Sequence, residues 1–178
     1  MKLDKEFIPN NPLYFNSDTD PYAIAHKLAT FLGEYKVPFK YDDRDNIFVI
    51  SIPDSSEENS CYIISVMIGR KAELIRFGIL LYDNIPDESL GVLSELITRL
   101  NTDNYRGVVG LFYEDRYCEY MLRFLPDGQL LSNDYFLSQL NTLASAHDKI
   151  APAIKAVIEN NEKPLLVHLS LVENAKSY

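Results

Sequence analysis

The sequence predicts an α+β fold in which an antiparallel sheet is flanked by three helices, in the order α-β-β-β-β-α-β-β-α. Three segments carry apolar residues at spacings of three and four, the period of a helix with one buried face. Six shorter runs, rich in apolar and aromatic residues, are joined in pairs by polar turns, which is typical of antiparallel hairpins. With 178 residues, 47% of them hydrophobic, the chain is long enough to bury the core of one domain.

The first helix is predicted to begin at Asp20, whose carboxylate caps it, followed by Pro21 at a position where the missing N–H costs nothing. Its apolar face comprises Ile24, Leu28, Phe31, Leu32 and Tyr35. Pro38 prevents the helix from continuing through Val37. Residues 1–19, with two prolines among polar residues, are expected to form an irregular arm.

The six strands are predicted at 38–42, 47–52, 60–68, 73–82, 106–113 and 117–125. Polar loops at 42–46, 69–72 and 114–116 close the three hairpins. The third run is almost continuously apolar, which suits a central strand better than an edge strand.

The second helix is predicted over 87–100, with Leu90, Leu93, Ile97 and Leu100 as its buried stripe. Asn101 follows where a left-handed C-cap is expected. Ser132 caps the last helix, whose apolar stripe comprises Phe136, Leu140, Leu143, His147, Ile150, Ile154 and Ile158. Pro152 predicts a kink or break there, because its ring clashes with the carbonyl of Asp148.

After Pro164 the sequence alternates, with Leu165, Val167, Leu169 and Leu171 on one side of an extended chain. This pattern predicts an extra strand within a C-terminal tail, 163–178. Residues 20–162 are then expected to form the single α+β domain.

The composition excludes several kinds of partner. The formal net charge is −9 and the acidic residues are spread along the chain, so nucleic acid and membrane surfaces are unfavourable partners. Cys61 and Cys118 lie in apolar strand segments and are expected to be reduced, as in a cytoplasmic protein. The N-terminus resembles no signal peptide, and no apolar run is long enough to span a membrane.

No constellation of residues predicts catalysis, a metal or a cofactor, so the chain is expected not to be an enzyme. The histidines, His26, His147 and His168, lie on separate elements. The loop 42–46 lacks the glycine and the bidentate glutamate of a calcium loop. The sequence contains neither a nucleophile elbow nor a glycine-rich phosphate loop. The carboxylates around the last hairpin, Glu114, Asp115 and Glu119, fit a solvated turn better than a catalytic pair.

Tyrosine is frequent, with twelve residues and no tryptophan. Tyr113, Tyr117 and Tyr120 surround the last hairpin, where they either contact a protein partner or stabilise the sheet as aromatic cross-strand pairs. With Leu165, Val167, Leu169 and Leu171 of the tail, they are the residues that the sequence offers as a protein interface.

Three stretches of the second half resemble the YbjN family of bacterial sensory transduction regulators. They are a leucine-rich helix ending in Asn101, a hairpin over 108–113 and 120–125, and a closing helix over 146–158 with Asp148 and Pro152. The resemblance spans about residues 20–160 and implies the fold of type III secretion chaperones and a function in binding other proteins. The arm, His147 and the tail depart from the family pattern.

Two functions follow as hypotheses. The first is a non-enzymatic protein-binding module, chaperone-like or a regulatory adaptor in a bacterial cytoplasm. Its partner is another protein, with a second copy of the chain as a further candidate. The alternative is a small-molecule sensor or enzyme with a pocket between the sheet and the last helix, which only His147 and the nearby tyrosines motivate.

Overall fold

A computed structural model describes residues 21–53, 61–71, 74–102, 106–124 and 132–175. The elements are α1 (Pro21–Glu34), β1 (Phe39–Asp42), β2 (Ile47–Pro53), β3 (Cys61–Ile68), β4 (Ile75–Tyr82), a 3₁₀ turn (Asp87–Ser89), α2 (Leu90–Thr102), β5 (Val108–Phe112), β6 (Tyr117–Phe124), α3 (Asn133–Glu159) and α4 (Pro164–Ala175). The predicted order of helices and strands is confirmed, with one more helix at the end. The predicted arm, 1–19, and the capping residue Asp20 lie outside the described residues.

All six strands belong to one sheet, in the order β1-β2-β3-β4-β6-β5. The pairs β1–β2, β2–β3 and β5–β6 are antiparallel. The almost continuously apolar run, β3, lies between β2 and β4, which confirms its prediction as a central strand. Of the described strands, β1 and β5 lie at the two edges of the sheet.

The chain divides into two compact units, the first comprising residues 1–78 and 123–141 and the second residues 79–122 and 142–178. β4, β6 and α3 each contribute residues to both. The prediction of a single domain over 20–162 stays a prediction.

The first unit has an aromatic core. The ring of Phe136 in α3 lies 5.6 Å from that of Phe31 and 6.4 Å from that of Phe77, measured between centroids. Ile24, Leu28 and the rest of the predicted apolar face of α1 are buried, except for Tyr35, which lies beyond the helix end and is exposed.

The second unit is built around α2. Leu93, Leu96, Ile97 and Leu100 are buried along its inner face. The helix continues to Thr102, so Asn101 lies inside it and the prediction of a left-handed cap at Asn101 is wrong. The side chain of Asn101 instead bonds to the backbone of β5, as described below.

Pro152 does not break α3, which is a continuous helix from Asn133 to Glu159. The proline is exposed, so water can reach the helix backbone around it. Proline in a helix interior costs about 3 kcal/mol. Burial of the stripe formed by Ile150, Ile154 and Val157 offsets this cost.

The tail forms a helix, α4, so the prediction of an extra strand is wrong. Pro164 occupies its first position, where proline is favoured, and the N–H groups of Leu166 and Val167 donate to the carbonyl of Lys163 at 2.9 and 3.2 Å. Residues four apart share a face both in a strand and in a helix, so the alternating pattern fits either structure. In a helix, however, residues two apart lie about 200° apart, on opposite faces.

No helix among the described residues is long and apolar enough to cross a membrane.

Candidate functional site

The three tyrosines of the last hairpin do not form one surface. Tyr113 lies in the turn and is 53% exposed, whereas Tyr120 is 2% exposed. Tyr117 stacks on Phe112, with ring centroids 4.4 Å apart and planes inclined by 7°. Tyr120 is three residues from Tyr117 in the same strand and therefore lies on the opposite face of the sheet. Its assignment to an interface is wrong, because a buried core residue is not available to a partner.

The tail residues separate in the same way. Leu165 and Leu169 are exposed on one face of α4, at 44% and 46%, together with Leu166. In the predicted strand, Leu166 would lie on the opposite side from Leu165 and Leu169. Val167 is 6% exposed and is therefore a core residue, so its assignment to an interface is wrong. Leu171 is half-buried. α4 packs against α2.

An apolar surface that the sequence reasoning missed lies on β2 and β3. On one side of these strands Phe48, Ile50, Ile64 and Val66 are completely buried. The other side, here called the outer face, carries Ile47, Val49, Ile63 and Met67, with Val49 42% exposed and the others half-buried.

The strand register places these four side chains together. Ile47 is paired with Met67, Val49 with Ser65, and Ser51 with Ile63. Because neighbours along one face are two residues apart in each strand, the four apolar residues surround Ser65 and are contiguous. An antiparallel sheet usually presents polar residues on its solvated face, and the outer face departs from that rule. The signal was the almost continuously apolar run of β3, which also fits a strand covered on both sides.

At its margin the outer face carries charge. Lys40 of β1 is paired with Val49, and Asp42 is paired with Ile47. Both side chains are exposed. A ligand on the outer face would therefore contact apolar side chains, with one cation and one anion along the β1 side.

The loop between β1 and β2 is a structured hairpin turn. The Tyr41 hydroxyl donates to Asn46 Oδ1, and the Arg44 N–H donates to Asp42 Oδ1 at 3.0 Å. Asn46 adopts φ of 58°, and burial raises the pKa of Tyr41 to about 12. The hairpin prediction is confirmed. Within the described ranges, no three side chains of His, Cys, Asp or Glu are grouped so that they could hold a metal ion.

His147 lies on α3 with 25% of its side chain exposed, and its Nδ1 is 3.7 Å from Asp148 Oδ1. His26 and His168 lie on α1 and α4. Glu119, grouped in the sequence with a solvated turn, is only 5% exposed on β6, whereas Glu114 and Asp115 are exposed. The hypothesis of a pocket near His147 stays a prediction.

Both cysteines are free thiols, as predicted. Cys61 is exposed at the start of β3, and Cys118 is completely buried in β6. Burial raises the pKa of the Cys118 thiol to about 12. Cys118 is therefore a core residue without the thiolate character that a nucleophile needs.

At the β5 edge, the Asn101 side chain makes two hydrogen bonds to one residue of the strand. Its Nδ2 donates to the carbonyl of Val109 at 2.9 Å, and its Oδ1 accepts from the N–H of Val109 at 2.8 Å. The end of α2 is thereby attached to β5.

No protein-family model and no curated protein matches the sequence. Among solved structures, this chain is similar to a protein chain in the crystal structure of the ExsC–ExsE complex, with a sequence identity of 14% and a TM-score of 0.51. The alignment covers 70% of this chain and 88% of that chain. A second similarity is to the HopA1–SchA chaperone–effector complex, with 14% identity, a TM-score of 0.48, and coverage of 72% and 92%. The fold is that of the type III secretion chaperones, as the sequence predicted. At such low identity the likeness shows the fold alone.

Proposed function

We propose that this protein is a non-enzymatic, chaperone-like protein-binding module that holds an extended segment of a partner against the outer face of β2 and β3. The observation that carries the proposal is the apolar outer face formed by Ile47, Val49, Ile63 and Met67. The patch is partly exposed, with Val49 42% accessible and the other three residues half-buried, and contiguous apolar side chains that reach the surface mark sites of interaction with other proteins. The ExsC structure was solved as a complex with ExsE, which supports a protein partner for a chain with this fold.

The partner segment is expected to be extended and to carry apolar side chains at alternate positions. Such a segment presents one apolar face, which matches the rows of side chains along β2 and β3. The net charge of −9 favours a segment flanked by basic residues, because opposite charges accelerate encounter.

Two further points belong to the proposal: the protein is located in a bacterial cytoplasm, and it is a member of the YbjN family. They are supported by the resemblance of the closing helix, 146–158, and by the reduced state expected of the two cysteines. Cell fractionation tests the location, and a signal confined to the envelope fraction would contradict it. Recovery of YbjN proteins in a profile built from homologues of this chain tests the family.

A photo-crosslinking amino acid tests the binding surface. Val49 on the outer face and Val92 on α2 are matched positions, since both are valines, exposed by 42% and 44%. A crosslinker at 49 is expected to capture polypeptides from the native host lysate, and the same group at 92 is not. Equal capture at both positions, or none at 49, would contradict the proposal.

Self-association is the other assembly to test. Light scattering that gives twice the chain mass of 20.4 kDa would support a homodimer, and a mass of 20.4 kDa at all concentrations would oppose it.

A further inference from the structure

Among the strands that the structure describes, β5 lies at an edge of the sheet and has one neighbour, β6. The backbone groups on the free side of such a strand can pair with a strand of another chain. Val108 adds an exposed apolar side chain, 49% accessible, to this edge. An edge of this kind promotes association unless something blocks it.

Asn101 is placed to block it. A carboxamide has one acceptor and two donors, so it can offer the same pair of groups as a peptide unit of a neighbouring strand. It uses both toward Val109, at 2.8 and 2.9 Å. The side chain therefore occupies the place of a strand at this position.

The direction of these bonds identifies the open side of β5. In an antiparallel strand the N–H and C=O of one residue point to the same side, and those of the next residue to the other. The N–H and the C=O of Val109 both bond to Asn101, so they point away from β6. The N–H and C=O of Leu111, two residues further along β5, point to the same side. Gly110, paired with Glu119, then bonds to β6. In the part of the chain that the structure describes, no side chain covers Leu111 as Asn101 covers Val109.

We infer that Asn101 closes the β5 edge and keeps it from pairing with the β5 strand of a second copy. Two copies related by a twofold axis would need the outward groups of both Val109 and Leu111 for a continuous ladder. With Val109 already bonded, only Leu111 remains before the strand ends at Phe112. This inference is independent of the proposed function of the outer face.

Amide hydrogen exchange tests the closure directly. In the full-length protein, the Val109 amide is expected to be protected and the Leu111 amide to exchange readily. In Asn101→Ala, exchange at Val109 should accelerate by roughly tenfold or more, because its hydrogen bond is lost, while Gly110 keeps its protection. The control is Thr102→Ala, which removes a hydroxyl that donates within α2 to the Thr98 carbonyl at 2.8 Å.

Light scattering then tests the consequence. Asn101→Ala is expected to show a mass that rises with concentration above that of the unmodified protein, and Thr102→Ala is not. Asn101→Asp retains an acceptor for the Val109 N–H and has no donor for the Val109 carbonyl. It provides a milder variant if the alanine variant does not fold. A variant that exposes the Val109 amide without any gain in mass would overturn the inference, as would a Val109 amide that is unprotected in the unmodified protein.

Discussion

Gly107, just before β5, lies where a methyl group does not fit. An ideal Cβ there would be 2.4 Å from the Met121 carbonyl oxygen and 2.6 and 2.8 Å from Cζ and Oη of Tyr120. The Met121 oxygen belongs to the backbone of β6, and Tyr120 is a core residue that is 2% exposed, so neither moves as easily as the end of a surface side chain. The substitution Gly107→Ala must therefore push β5 away from β6.

Overpacking of this kind costs about 1–3 kcal/mol. For a chain of this size, each kcal/mol lowers the melting temperature by about 2–4 °C. Gly107→Ala is thus expected to lower the melting temperature by roughly 2–12 °C in a thermal scan followed by circular dichroism.

Two other glycines serve as controls. At Gly110, a Cβ would meet the terminal Cε of Met121 at 2.4 Å, and this flexible end can rotate away, so Gly110→Ala should cost less. At Gly91 in α2, nothing lies within 4 Å, and alanine should stabilise the helix by about 0.5–1 kcal/mol. The packing argument is refuted if Gly107→Ala melts no lower than Gly110→Ala.

Three further predictions concern the two cysteines and α4. In the native protein at pH 8, Ellman's reagent should modify Cys61 rapidly and Cys118 only after unfolding, because Cys118 is buried; two rapid thiols would contradict this. Burial also raises the pKa of Cys118 from 9.0 to about 12, so the folded state holds this proton more tightly than the unfolded state. Its contribution to stability is present below about pH 9 and is lost as the pH rises toward 12, which would lower the urea midpoint over this range. In α4, the buried Val167 and the exposed Leu169 are compared by alanine substitution. Val167→Ala should lower the free energy of unfolding by roughly 1–3 kcal/mol, and Leu169→Ala by less than about 0.5 kcal/mol. Equal losses would show that Val167 does not anchor the helix.

Local signals in the sequence predict much of this fold. Pro21 marks the start of α1, and Pro38 lies between the end of that helix at Glu34 and the start of β1 at Phe39. The polar loop 42–46 marks a hairpin that the structure confirms. The tail was misassigned because its apolar residues, spaced by two, also contain the four-residue spacing of a helix. Pro152 predicts a kink or break in α3 because the cost of a proline is local, whereas the burial that offsets this cost depends on packing elsewhere in the fold.

The candidate site was harder to predict than the fold. The sequence singled out Tyr120 and Val167, which are core residues, because apolar and aromatic composition does not reveal which face of an element is covered. The outer face emerges only when strand register places Ile47, Val49, Ile63 and Met67 side by side. The role of Asn101 depends on β5 lying at a sheet edge, which no local pattern encodes.

The measurement that tests the central claim most directly compares Val49→Glu with Val92→Glu. Both replace a valine of similar exposure by a carboxylate, one on the outer face and one on α2. Affinity for the polypeptide captured by crosslinking at position 49 would be measured by calorimetry, after thermal scans show that both variants remain folded. We expect Val49→Glu to weaken binding by about tenfold or more, since a charge on a buried apolar contact costs at least about 1.4 kcal/mol. We expect Val92→Glu to bind the polypeptide as tightly as the unmodified protein does. Unchanged binding by Val49→Glu would contradict the assignment of the outer face as the binding site.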